Sequence, residues 1–164
     1  MKEKTVKYDI SVRANQLNEK IQVELNKLNS ISSQYSDDGG LDLFISNSFL
    51  YTTPNIGPLV KLNLISVNTK SDGTESKLIL KRKNGITYSI HFWFVICFIA
   101  LTIVIAVFQS FSKEFNENIT AFILPISGLI YLLLIELFAK TTISNLVKRV
   151  EKIMTEQKIE YKKL

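Results

Sequence analysis

The sequence predicts an α+β membrane protein, in which a small antiparallel sheet with one or two packed helices is joined to a two-helix transmembrane hairpin. Two long apolar runs, Ile90–Phe108 and Ile119–Phe138, predict the hairpin. Segments that alternate apolar and polar residues, and one amphipathic helical stripe, predict the α+β part. This order gives a cytoplasmic α+β domain at 1–89, a hairpin at 90–139, and an amphipathic helix at 140–164 that packs on the first domain.

The N-terminal domain opens with a strand followed by a helix. Val6–Val12 alternates with period two, as a strand with one buried face requires. Asn15 is a favourable N-cap, and after it apolar residues recur at helical spacing, namely Leu17, Ile21, Leu25 and Leu28. We expect this stripe to face the core of the domain.

Turn signals divide the next part of the domain into strands. After a break at Asp37–Gly40, alternation resumes at Leu41–Ile45, and Val60–Val67 and Lys77–Lys81 are further strand candidates. The Asp72–Gly73 turn predicts that the last two are antiparallel neighbours. The order of one strand, one helix and then three or four strands predicts a sheet with its helix on one face.

The apolar runs are long enough to cross a membrane. At about 1.5 Å per residue, runs of 19 and 20 residues span roughly 28 and 30 Å, close to the ~30 Å of a hydrocarbon core. Between them, the polar stretch 112–118 is the predicted external turn. The Asn84–Gly85 turn precedes the first run, and Ile86–Ser89 after it is either a short last strand or the lead into the membrane.

Charge gives the hairpin a direction. Basic residues gather on the two flanks of the hairpin, whereas the turn carries only Lys113. The flanking set is Lys77, Lys81, Arg82, Lys83, Lys140, Lys148, Arg149 and Lys152. By the positive-inside rule, both termini lie in the cytoplasm. Met1–Lys20 lacks the apolar segment of a signal peptide, and the frequent Ile, Asn and Lys are typical of AT-rich bacteria. We therefore expect a multi-pass protein of the bacterial cytoplasmic (inner) membrane.

The segment after the second span keeps an apolar stripe at spacings of three and four. The stripe comprises Ile143, Leu146, Val147, Val150, Ile153 and Met154. It predicts an amphipathic helix that continues from the span. The stripe either packs on the N-terminal sheet or lies in the membrane interface, and the first is favoured because a small sheet needs a partner layer.

The predicted elements follow one another in a distinctive order. They are the strand Val6–Val12, the helix around Leu17–Leu28, the strands Val60–Val67 and Lys77–Lys81, and the closing helix Leu146–Met154. In this layout the chain resembles a group of small bacterial membrane proteins whose START-like, helix-grip domain is interrupted by a transmembrane hairpin before its C-terminal helix. Such domains are associated with binding lipids or other apolar ligands. The resemblance therefore implies a ligand of that class.

Two polar side chains in the hairpin are candidates for function. Glu136 is the one acidic residue of the spans, and His91 begins the first span where Glu136 ends the second. An antiparallel hairpin brings them to a similar depth at the cytoplasmic membrane face, where they form a candidate polar pair. The favoured alternative pairs Glu136 with Lys140 and makes His91 and Trp93 interfacial anchors. Further anchors are Lys81, Arg82, Lys83 and Lys140.

Small residues predict where the two spans pack against each other. Pro125 and Gly128 lie in the second span, and Ala121 lies on a similar face to Gly128. We expect this face to pack against Ala100 and Ala106 of the first span. A dimer is the alternative use of the same surface.

Sequence signals for catalysis, metal binding and nucleic-acid binding are absent. Cys97 is the sole cysteine, which excludes a disulfide or a cysteine-based zinc site within one chain. The acidic residues of the domain have no histidine to join them, and Asp37–Gly40 lacks calcium-loop spacing, so no metal or cofactor is expected. No nucleophile elbow, phosphate-binding loop or aromatic-interleaved basic face is present.

These patterns predict a non-enzymatic integral membrane protein whose cytoplasmic α+β domain binds an apolar ligand or a protein partner at the membrane surface. The alternative is a small subunit or self-associating component of a membrane complex, including an immunity or stress protein, that acts through its hairpin. The expected partners are the lipid bilayer, a lipid or other apolar ligand, and a protein partner or second copy of the chain. Nucleic acid is not among them.

Overall fold

The computed structural model describes residues 5–28, 30–46, 52–53, 57–69, 75–112 and 122–164. These residues form an α+β protein with a six-stranded antiparallel sheet and three helices, two of which are long and apolar enough to cross a membrane. The chain divides into two compact units. The sheet unit comprises Met1–Thr87 and Thr141–Leu164, and the hairpin unit comprises Tyr88–Lys140.

The strands are β1 (Thr5–Ile10), β2 (Ile31–Tyr35), β3 (Leu41–Ile45), β4 (Thr52–Thr53), β5 (Gly57–Pro58), β6 (Val60–Asn68), β7 (Ser76–Asn84) and β8 (Tyr161–Lys163). The helices are α1 (Ala14–Asn26), α2 (Ile86–Ser112) and α3 (Ile123–Glu156). Of the two alternatives for Ile86–Ser89, the short strand is wrong, because this segment is the first turn of α2 and leads into the first candidate span. Strands β2 and β8 are absent from the sequence prediction.

The large sheet has the strand order β2-β3-β6-β7-β1-β8, and each neighbouring pair is antiparallel. The predicted pairing of Val60–Val67 with Lys77–Lys81 is confirmed, with Leu64 opposite Leu80. Strand β8 pairs with β1, so the C-terminal strand forms the edge of the sheet beside the first strand. Strands β4 and β5 form a separate two-stranded sheet.

One face of the large sheet carries the core of the sheet unit. The pleat turns every second side chain toward this face. The buried set is Tyr8, Ile10, Leu41, Leu43, Leu62, Leu64, Leu78 and Leu80. Helix α1 adds Leu17, Ile21 and Leu25, each at most 1% exposed. Three residues of the predicted stripe therefore lie in the core, whereas the fourth, Leu28, follows the end of α1 and is half-buried.

Helix α1 begins at Ala14, so Asn15 lies inside the helix and the prediction that it is the N-cap is wrong. The first backbone N–H of the helix instead finds a partner on a strand, because the Ala14 N–H donates a 3.0 Å hydrogen bond to Asn68 Oδ1. Ser66 Oγ also donates a 3.3 Å hydrogen bond to the Ala14 carbonyl. A side chain of β6 thus satisfies a group that a local cap would otherwise serve.

The C-terminal part of α3 supplies a second helix to the sheet unit. Its apolar stripe is at most 4% exposed at Ile143, Leu146, Val150, Ile153 and Met154. Tyr8 of β1 donates a 2.6 Å hydrogen bond to Glu151 of α3. Gln157, the residue after α3, donates one of 3.1 Å to Glu24 of α1. The stripe is therefore part of the core of this unit.

Gly85 connects β7 to α2. A Cβ atom at this position would overlap the Pro58 carbonyl oxygen, so the close approach of the two backbones requires glycine. The Gly85 N–H donates a 2.9 Å hydrogen bond to the Leu59 carbonyl. The point at which the sheet ends and the apolar helix begins is fixed by these backbone contacts.

In the hairpin unit the helices differ in length from the predicted spans. Helix α2 extends beyond Ile90–Phe108 at both ends, and its candidate span is Ile86–Phe108. Helix α3 continues past Phe138 without interruption to Glu156. Residues 113–118 of the predicted turn and Ala121 lie outside the described residues.

Candidate functional site

His91 and Glu136 each contact a tyrosine of the other apolar helix. The Tyr131 hydroxyl lies 3.1 Å from His91 Nδ1, and the Tyr88 hydroxyl donates a 3.0 Å hydrogen bond to Glu136 Oε2. One histidine–tyrosine contact and one tyrosine–glutamate contact therefore join α2 to α3. A direct contact between His91 and Glu136 stays a prediction. Sequence reasoning missed both tyrosines because it searched the spans for charge. Tyr131 counts as part of the second apolar run, and Tyr88 lies before the first run.

The two helices of the hairpin unit approach closely at Gly128. A Cβ atom there would lie 2.6 Å from Ile99 Cγ1. Pro125, Gly128 and Ala106 are buried. Ala100 is exposed, so the prediction that it packs against the second span is wrong. Its position on the outer surface of α2 follows from the helical period, which places it away from Ala106.

The predicted anchors fall into two groups. Trp93 is 64% exposed and Lys140 is also exposed, as an interfacial anchor requires. Lys81, Arg82 and Lys83 instead lie within β7, where they are half-buried. These three side chains therefore belong to the sheet as well as to the flank of the apolar helix.

The sheet face opposite the helices is rich in lysine. Residues that alternate with the buried leucines point to this side, and we call the lysine set the lysine face. It comprises Lys7, Lys61, Lys77, Lys81, Lys83 and Lys162. The register sets Lys61 opposite Lys83, and sets Asp9 beside both Lys77 and Lys162. Apolar side chains at Phe44, Ile65 and Ile79 share the face and are half-buried.

Two buried polar residues lie at the β3 side of the lysine face. Asp42 and Asn63 are directly opposite each other on β3 and β6 and are 5% and 0% exposed. Asn63 Nδ2 donates a 2.6 Å hydrogen bond to Asp42 Oδ1, and Lys61 Nζ lies 3.4 Å from Asp42 Oδ2. Lys61 also lies 5.9 Å from the centre of the Phe44 ring. These contacts hold Lys61 in place on the face.

Within the predicted break at Asp37–Gly40, Asp38 forms an ion pair with a lysine of the lysine face. Lys83 Nζ lies 2.5 Å from Asp38 Oδ2 and 3.0 Å from Ser36 Oγ. The hydrogen bond with Lys83 lowers the pKa of Asp38, and the same bond raises the pKa of Lys83. Both groups therefore stay charged at neutral pH.

Within the described ranges, no group of three His, Cys, Asp or Glu side chains lies close enough together to hold a metal ion. The single cysteine, Cys97, is exposed on α2. The lysine face and the polar contacts of the hairpin unit provide charged and hydrogen-bonding groups for binding.

Fold and geometry define the class as an α+β protein that combines an antiparallel sheet unit with two helices suited to crossing a membrane. Comparison with protein-family models, with curated proteins and with solved structures finds no match to this chain. The START-like resemblance stays a prediction.

Proposed function

We propose that this is a two-span protein of the bacterial inner membrane, whose cytoplasmic sheet unit binds an acidic protein partner at the membrane surface through the lysine face. The proposed role is binding and not catalysis. The observation that carries it is the difference between the two sides of the sheet. Helices α1 and α3 fill one side with buried apolar residues, and the other side presents lysines.

The composition of the sheet unit supports the proposed topology. The unit is built from residues before and after the hairpin, so an even number of crossings brings both parts to one side of a membrane. Two candidate spans provide that even number. Basic residues on both flanks favour the cytoplasmic side.

Helices α1 and α3 already cover the apolar side of the sheet. This packing favours a partner on the lysine face over an apolar ligand in the core. Leu43, Leu62 and Leu64 are at most 1% exposed, because the helices already pack there. An interior ligand would have to displace side chains whose burial is worth roughly 1.5–3 kcal/mol each. A partner on the lysine face leaves these side chains in place.

Charge identifies the class of partner. The face carries six lysines against Asp9 and Asp42, and Asp38 from the turn before β3 pairs with Lys83. Complementary charge steers association and selects the partner, while half-buried Ile65 and Ile79 add apolar contact area between the lysines. An acidic surface with a few apolar side chains is the matching partner.

Site-specific photo-crosslinking tests the proposal in cells that express the full-length chain. A photoreactive residue replaces Ile79 on the lysine face or, as a matched β-branched control, Val23, which is 52% exposed on α1. We expect an adduct with an acidic protein from Ile79 and none from Val23. The purified partner should then bind the wild type with an affinity that falls as salt rises.

Charge variants complete the test. The double variant Lys7→Gln, Lys77→Gln should bind the captured partner more weakly, and Lys20→Gln, Lys158→Gln, which removes the same charge at exposed positions elsewhere, should bind like the wild type. Equal adducts from Ile79 and Val23 would contradict the proposal. Leu133 in the hairpin unit is 71% exposed. Capture of a second copy of the chain by a photoreactive residue at this position would support the hairpin alternative.

A further inference from the structure

A groove in the sheet unit lies between helix α3 and the edge of the sheet at β2 and β3. Its volume is about 340 Å³. Sites for small ligands start at roughly 300 Å³, so this groove has room for part of a ligand. The described residues that line it are Ser30, Ile31, Ile45, Asn145, Leu146, Lys148, Arg149 and Lys152.

The floor of the groove is apolar. Ile31 and Ile45 are direct neighbours across β2 and β3, and Leu146 of α3 is 2% exposed. Along β3, Leu41 and Leu43 are fully buried on the same side of the sheet, whereas Ile45 is half-buried. The apolar side of the sheet thus continues into the groove beyond the area that the helices cover.

The rim of the groove is basic. Lys148, Arg149 and Lys152 come from two successive turns of α3, and none of the described residues that line the groove carries a carboxylate. Lys152 lies 3.5 Å from exposed Glu156. Glu151 accepts its hydrogen bonds from Tyr8 and Lys163, away from the groove. The rim therefore keeps a net positive charge.

A larger groove of about 590 Å³ beside β8 differs in charge. Its wall includes Asp9, Glu75 and Glu160 together with Lys77 and Lys162. Opposite charges offset each other there, and an anion would meet three carboxylates. In the groove beside α3, which we call the α3 groove, the described residues combine an apolar floor with a rim whose charged side chains are all basic.

We propose that the α3 groove binds an acidic phospholipid, with the lipid phosphate at the rim and the first methylene groups of one acyl chain on the floor. Arg149 offers a planar fork of N–H donors that matches phosphate, and the two lysines add point charges. The bilayer is the source of the lipid, because Leu146 follows Lys140 by six residues in the same helix that contains the second candidate span. This inference rests on the proposed membrane insertion and not on the protein partner.

Native mass spectrometry of the full-length protein in detergent tests the groove directly. The protein is titrated with phosphatidylglycerol, with phosphatidylcholine of the same acyl chains, and with soluble glycerol 3-phosphate. The wild type should take up one phosphatidylglycerol at concentrations at least tenfold below those needed for either other probe. Equal binding of the two phospholipids would overturn the proposal, and equal binding of glycerol 3-phosphate would reduce the site to a free-phosphate site.

Two double variants that remove the same charge test whether the lipid binds in the α3 groove. Lys148→Gln, Arg149→Gln should raise the concentration for half occupancy at least tenfold, and Lys20→Gln, Lys158→Gln should stay within about twofold of the wild type. A similar loss in both variants would mean general charge attraction and would overturn the site. If the groove variant fails to fold, Arg149→Lys takes its place, since it keeps the charge but removes the guanidinium fork, and its binding should fall severalfold. Unchanged binding by Arg149→Lys would then count against the site.

Carbonate extraction of membranes from expressing cells separates the two proposals. A chain that resists extraction but does not prefer phosphatidylglycerol leaves the membrane proposal standing and removes the lipid site. A chain that carbonate releases removes the membrane proposal and, with it, the bilayer as the lipid source. A resistant chain that prefers phosphatidylglycerol supports both.

Discussion

Tyr8 of the first strand donates a 2.6 Å hydrogen bond to Glu151 of the last helix, across 143 residues of sequence. Lys163 of β8 lies 3.0 Å from the same carboxylate and 5.6 Å from the centre of the Tyr8 ring. Burial raises the pKa of Tyr8, with a further contribution from the hydrogen bond to Glu151, so the hydroxyl remains a donor. The first strand, the last helix and the last strand of the sheet unit therefore meet at one carboxylate.

Removing the Tyr8 hydroxyl should destabilise the sheet unit. Tyr8→Phe deletes a donor to a charged acceptor, and such bonds contribute about 1.5–3 kcal/mol. We expect a loss of that size in the free energy of unfolding in detergent, followed by circular dichroism. Tyr35→Phe is the control, because Tyr35 is 64% exposed and its hydroxyl bonds Gln22 at the surface. Equal losses in the two variants would argue against a special role for the Tyr8–Glu151 contact.

Acid should weaken the same contact. The hydrogen bond from Tyr8, and then that from Lys163, lower the pKa of Glu151 below its ordinary value of 4.5. The unfolded chain then takes up the proton at a higher pH than the folded chain, so the stabilisation is complete above about pH 4.5 and is lost as the pH falls through the folded pKa.

Glu151→Gln should therefore lose the part of the pH dependence that Glu151 causes. The measurement is the denaturant midpoint of the full-length protein between neutral pH and pH 3, compared with Glu156→Gln, a neighbour on the same helix that is exposed. The wild type and Glu156→Gln should both weaken in acid more steeply than Glu151→Gln. Parallel curves for all three proteins would contradict the assignment.

The C-terminal helix should behave as core. Met154 is fully buried, and truncation of a buried methionine to alanine costs about 2–5 kcal/mol. Met154→Ala should lower the free energy of unfolding by that amount, whereas Val23→Ala on the outer side of α1 should change it by less than about 0.5 kcal/mol. A Met154→Ala variant as stable as Val23→Ala would place this helix outside the core.

The contact between Gly128 and Ile99 should be tight. Gly128→Ala places a methyl group against Ile99 Cγ1, so we expect a lower thermal midpoint in detergent, and a smaller loss when Ile99→Ala is present as well. Ala100→Val on the exposed side of α2 is the control and should be tolerated. Strictly additive effects of the two changes would mean that these residues do not touch.

The helices were more predictable from the sequence than the edges of the sheet. Long apolar runs and the leucine stripe of α1 identify helices locally, because composition and the 3.6-residue period suffice. Strand β2, Ile31–Tyr35, has a serine pair and a glutamine in place of clear alternation, and β8 is three exposed residues. Both strands exist because a neighbouring strand offers backbone hydrogen bonds, which the local sequence does not encode.

The candidate sites likewise combine features that the local sequence indicates with features that depend on the fold. The number of lysines is visible in the sequence, but the gathering of six of them on one side depends on strand register. The tyrosine partners of His91 and Glu136 depend on how α2 and α3 meet. Asn68 caps α1 although it lies 54 residues after Ala14 in the sequence. The local sequence pattern indicates only a neighbouring residue, Asn15, as the cap.

Cysteine accessibility in intact cells tests the proposed two-span topology most directly. In a Cys97→Ser background, Asn116→Cys places a thiol in the predicted external turn, and Lys162→Cys places one on β8 of the sheet unit. A membrane-impermeant maleimide should label Asn116→Cys in intact cells, and should label Lys162→Cys only after the membrane is opened. Labelling of Lys162→Cys in intact cells, with Asn116→Cys protected, would contradict a cytoplasmic sheet unit anchored by a transmembrane hairpin.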